Sequence, residues 1–83
     1  MNTTSDDARL LLAAVRALRE LPSFDRRREI RQGAGVSLDR LGGALDPPVT
    51  GSAVYRWESG MRAPRDLRHL VQYEALLREL AAL

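Results

Sequence analysis

Arginine sets the chemistry open to this chain of 83 residues. All thirteen basic side chains are Arg and none is Lys. A guanidinium bonds planar anions such as phosphate through a bidentate fork, although GC-rich coding would also enrich Arg together with Ala. Position is more telling than identity. Residues 26 to 68 carry nine Arg against five acids, a net of +4, while residues 1 to 25 and 69 to 83 each sum to −1. Positive charge is therefore concentrated mid-chain, as an anion-binding surface requires. Other chemistries fall away. The chain has no Cys and a single His, His69, so neither thiolate nor His-cluster metal sites are expected. Asp25, Glu29, Glu74 and Glu79 show no paired-carboxylate pattern and read as helix surface charge. His69, with no ligand set, is expected at the surface or half-buried. The sequence points to no cofactor, metal, small-molecule substrate or enzymatic reaction.

The elements that must position the arginines are helical almost throughout. Ser5 is an N-cap candidate, with Asp6 and Asp7 in a first turn where the helix dipole favours anions. Ala8, Leu11, Leu12, Val15 and Leu18 mark one face of a helix over 6–21, which Pro22 stops. Its apolar stripe is expected to complete the core, with a dimer interface as the alternative. Ser23 caps a helix over 24–32 with Phe24, Ile30 and Ala34 inward, and Gly33 to Gly35 end it. Ser37 caps a short helix over 37–45 with Leu38, Leu41 and Leu45 inward. Pro47 and Pro48 cannot continue it. Thr50 opens a helix over 50–58, closed by Ser59 and Gly60, and Pro64 and Asp66 lead into a last helix over 66–80. No run alternates with period two. The expected fold is a single all-α domain over 1–83, a compact bundle of about five helices. Its length predicts marginal stability unless a partner reinforces it.

Two short helices meeting across a turn, 37–45 and 50–58, form a helix-turn-helix, whose second member fits a DNA major groove. The residues Arg28-Glu29-Ile30-Arg31, Gly35-Val36-Ser37-Leu38, Leu41-Gly42 and Leu45, then Val54-Tyr55-Arg56-Trp57-Glu58-Ser59-Gly60 and Pro64, resemble the XRE/Cro/CI family of phage-repressor-like proteins. The resemblance covers about residues 24–77 and leaves the helix within 1–22 as an extra element. It implies a lambda-repressor-like fold and sequence-specific binding of double-stranded DNA by a transcriptional regulator or repressor of the Cro type. Two features depart from the pattern. The turn from Asp46 through Val49 is about two residues longer, and Leu38 stands where the family usually has Gln.

The resemblance makes 50–58 the recognition helix, with Val54 and Trp57 buried. Gly51, Ser52, Tyr55 and Arg56 then project toward the bases, Arg56 being suited to bond guanine O6 and N7 together. Ser37, Arg40, Thr50, Arg62 and Arg65 are the phosphate candidates, which fix register without reading sequence. Arg31 and Glu58 are expected to form a structural ion pair beneath the recognition helix. Arg26, Arg27 and Arg28 read as a solvated helix face within reach of a flanking phosphate.

One short helix reads only a few base pairs, so a homodimer on a palindromic site is expected. The helices over 6–21 and 66–80 are the available dimer surfaces. With no apolar run near 20 residues and a polar, acidic N-terminus, a cytoplasmic location in a GC-rich bacterium or a phage-infected host is expected. Other readings of the same fold are a protein-interaction module, antitoxin-like or polymerase-binding, and a DNA-architectural or recombination-accessory protein.

Overall fold

Each helix starts where a short polar side chain caps it. In the computed structural model, which describes residues 5–83, five α-helices follow in order: α1 Asp6–Glu20, α2 Phe24–Gly33, α3 Leu38–Gly43, α4 Gly51–Ser59 and α5 Leu67–Ala82. The hydroxyls of Ser5, Ser23, Ser37 and Thr50 accept from the amides of Ala8, Arg26, Arg40 and Ala53 at 3.1, 3.2, 3.0 and 3.2 Å. Asp66 caps α5, accepting from the Arg68 amide at 2.9 Å. α4 ends at Gly60, whose φ of 81° lies in the left-handed region that glycine occupies without strain. No strand occurs among the described residues, and no helix there is long and apolar enough to cross a membrane.

The main core joins Ile30 of α2, Leu41 of α3, Val54 and Trp57 of α4, and Tyr73 and Leu77 of α5, with Leu45 from the α3–α4 connection. Trp57 and Tyr73 sit at its centre, ring centroids 5.2 Å apart and tilted by 59°, a favoured arrangement for aromatic pairs. A second, smaller cluster of Ala14, Ala17 and Leu70, with Leu21 and Val71 against it, joins α1 to α5.

Three expectations about inward faces are corrected. On α1 it is Ala14 and Ala17 that are buried, while Leu11, Leu12, Val15 and Leu18 are 52, 61, 41 and 57% exposed. Small side chains let the α1 backbone approach α5 closely, so the alanine face wins the contact and the leucine face is left outside. On α2 only Ile30 and Arg31 are buried. Ala34 is exposed, and the half-exposed Phe24 lies across Gly60 with the Arg27 guanidinium 4.6 Å from its ring centroid. Finally, α3 stops at Gly43 instead of reaching 45. Leu45 closes a tighter turn by donating to the Gly42 carbonyl at 3.3 Å, and its side chain still enters the core.

Candidate nucleic-acid interface

The position of α4 is fixed from both ends. At its start, Gly51 is buried against α3, and its amide donates to Asp39 Oδ1 at 3.1 Å. A Cβ on Gly51 would collide with that carboxylate and sit 3.0 Å from the Asp39 amide. Gly51 is thus a contact between helices and does not project outward as expected. A second glycine contact lies beside it, since a Cβ on Gly42 would collide with the Val49 carbonyl oxygen. The Val49 amide donates to the Gly42 carbonyl at 3.0 Å.

The connection between α3 and α4 is long but held. Gln72 of α5 grips Asp46 twice, accepting from its amide and donating to its carbonyl, both at 2.7 Å. His69 Nε2 lies 2.7 Å from the Pro47 carbonyl oxygen, and its ring stands 6.0 Å from that of Trp57. His69 is therefore buried and structural. Glu74, read as surface charge, is buried as well, 3.8 Å from Arg78. The sequence reading missed the anchoring by His69 and Gln72. Their spacing of three on α5 places them on one helix face, but only the fold brings residues 46 and 47 to it.

At its other end α4 is fastened to α2. Arg31 Nε donates to Glu58 Oε2 at 2.6 Å and Nη2 to Oε1 at 2.9 Å, while Nη1 donates to the Val36 carbonyl at 2.9 Å. Hydrogen bonding to Glu58 raises the Arg31 pKa above its ordinary value. Arg28 adds a looser contact to Glu58 at 3.8 Å. Arg27 does not join a solvated face. Its Nε donates to the Pro22 carbonyl at 2.8 Å and its Nη1 to the Trp57 carbonyl at 3.0 Å, satisfying a carbonyl in the last turn of α4. Burial lowers its pKa. Beneath this framework Tyr73 is fully buried, its hydroxyl has no hydrogen-bond partner, and desolvation pushes its pKa up to about 12.

With Val54, Trp57 and Glu58 turned inward, α4 presents Ser52, Tyr55 and Arg56 to solvent. They border an open groove of about 500 Å³ whose other wall includes Ser37, Leu38 and Met61. Arg40, Arg62 and Arg65 are exposed, and Arg62 lines a neighbouring groove with Leu18, Phe24 and Pro64. Among the described residues, Arg40, Arg56, Arg62 and Arg65 form no ion pair with a carboxylate. Asp39 is the acid on the groove, one of its oxygens held by the Gly51 amide. Ser37 and Thr50 accept from their own helices, and each hydroxyl keeps its proton as a donor. Met61, 70% exposed, was not foreseen at this site, and no local signal marks it. Farther along, Arg68 is paired with Asp66 at 2.9 Å, a hydrogen bond that lowers the Asp66 pKa.

The chain was compared with protein-family models, with curated proteins and with solved structures, and no match was found in any of the three.

Proposed function

We propose that this chain binds double-stranded DNA as a lambda-repressor-like helix-turn-helix protein, α3 and α4 forming the motif and α4 entering the major groove. The observation that carries this reading is the division of α4. One side is locked into the core by Val54, Trp57 and the Glu58 pair, and the other offers Ser52, Tyr55 and Arg56 to solvent, Arg56 having no carboxylate partner among the described residues. A helix is narrow enough for the major groove, and an unpaired guanidinium there can bond guanine O6 and N7. Arg40, Arg62 and Arg65 are assigned to phosphates, with the Ser37 and Thr50 hydroxyls as further donors. Gly51 is not assigned to base reading, because it is occupied by Asp39. A transcriptional regulator acting as a dimer on a palindrome, with half-sites about 34 Å apart, is the role that suits so small a reader.

The test is anisotropy of a labelled random duplex titrated at several salt concentrations. Three phosphate contacts in each bound protomer give a slope of log K against log salt of about −2.7 per protomer, about −0.9 for each contact. Absence of binding, or binding indifferent to salt, contradicts the proposal.

A second reading is favoured by the apolar part of the groove, where Leu38 and the exposed Tyr55 and Met61 would suit a protein segment. Such a complex would be largely insensitive to salt, and the same titration with duplex would fail.

A further inference from the structure

The face of α1 that points away from α5 carries an uncovered strip of apolar side chains, with Arg16, Arg19 and Glu20 beside it. Leu11, Leu12, Val15 and Leu18 are each 41 to 61% exposed, and the patch runs on through Leu18 to the half-exposed Phe24 across a shared shallow groove. Monomeric proteins rarely leave so continuous a strip of large aliphatic side chains in water. We propose that this face is a two-fold interface on which a second copy of this chain packs, the two α1 helices running antiparallel.

Two observations select a second copy in that orientation. Four apolar positions of this face, 8, 11, 15 and 18, are symmetric about residue 13, with the exposed Leu12 beside them. A two-fold axis level with residue 13 sets Leu11 against the copy's Val15 and Ala8 against the copy's Leu18, so each layer pairs two apolar side chains. Such self-complementarity is what an isologous interface requires. Charge is graded along the same helix, Asp6, Asp7 and Arg9 summing to −1 in its first part and Arg16, Arg19 and Glu20 to +1 toward its end. The antiparallel arrangement lays the acidic end of one helix beside the basic end of the other and opposes the helix dipoles. A parallel arrangement would put each set of like charges against itself.

The size of the strip sets the strength. A helix of 15 residues is about 22 Å long. One face of that length covers less than the roughly 800 Å² per partner of a standard interface. The dimer is therefore weak and dependent on concentration. It does not rest on what α4 binds.

The absence of cysteine makes the test direct. Ala8→Cys and Leu18→Cys variants are prepared separately and oxidised either alone or mixed, with sedimentation of the cysteine-free protein in parallel. The expected result is a concentration-dependent dimer and crosslinking mainly in the mixture, between position 8 of one chain and position 18 of the other. Leu11→Asp, at an exposed position, is expected to keep the helical circular dichroism and melting temperature while weakening dimerisation at least about tenfold, or 1.4 kcal/mol. Should Leu11→Asp lose its fold, Leu18→Asp serves the same comparison. A protein monomeric at every concentration, crosslinking of position 8 chiefly with itself, or a folded Leu11→Asp that dimerises like the parent overturns the proposal.

Discussion

Arg31 and Glu58, 27 residues apart, meet through two hydrogen bonds of 2.6 and 2.9 Å in a nearly dry site between α2 and the last turn of α4. The pair fixes how α4 leaves the core, and with it which side of that helix faces out. Arg27 supports the same turn through the Trp57 carbonyl. Two arginines of the basic run 26–31 are thus spent on holding α4 and are not available to a ligand.

Glu58→Ala strands the Arg31 guanidinium in a site where its own side chain is only 11% exposed. A buried pair broken on one side typically costs about 3 to 5 kcal/mol. Chemical denaturation should show a loss of that size, and a variant as stable as the parent would mean the pair does not hold α4.

The two glycine contacts between α3 and α4 should respond unequally. Gly42→Ala drives a methyl into the Val49 carbonyl, a backbone atom that cannot rotate away. A loss of about 1 to 3 kcal/mol is expected. Gly51→Ala meets first the Asp39 carboxylate, which can swing aside at the cost of one hydrogen bond, so its loss in thermal denaturation should be smaller.

Tyr73 supplies a dependence on alkaline pH. Its pKa is raised by burial to about 12 from an ordinary value of 10.0, so the fold favours the protonated phenol. That contribution is intact below pH 10 and is lost as pH rises toward 12, because the unfolded chain ionises first. Denaturation at increasing pH should show stability falling over this window, by on the order of 2 kcal/mol. Tyr73→Phe should remove that part of the fall. Below pH 10 it should be no less stable than the parent, since the lost hydroxyl has no partner.

The exposed arginines divide by role under the proposed function. Arg56→Ala should cost about 1 to 3 kcal/mol of binding and relax preference at one base position. Arg62→Ala and Arg65→Ala should weaken all duplexes alike and each reduce the salt slope by about 1. Binding profiles across a set of duplexes separate the two outcomes, and a change of preferred sequence in Arg62→Ala or Arg65→Ala would reverse the assignment.

Much of the helical layout was legible because capping is local. Ser5, Ser23, Ser37 and Thr50 announce their helices within four residues, and each does cap in the fold. The buried side of α4 could be read from Val54 and Trp57 alone. The face of α1 could not, because Leu10, Ala13, Ala14, Ala17 and Leu21 make a second apolar stripe beside the leucine one, and helical periodicity does not say which of two stripes a neighbour prefers. Close approach to α5 decided for the alanines. The roles of Arg27, His69, Gln72 and Gly51 were hidden for another reason. Each depends on a backbone group or carboxylate that is distant in sequence and arrives only with the folded chain.

Selection of bound duplexes from a random pool tests the central claim most directly, run in parallel with the parent protein and Arg56→Ala. The account predicts that the parent enriches a short motif and that the variant loses discrimination at one position within it. A pool returned with no enrichment, by a protein that is folded by circular dichroism, would contradict the account.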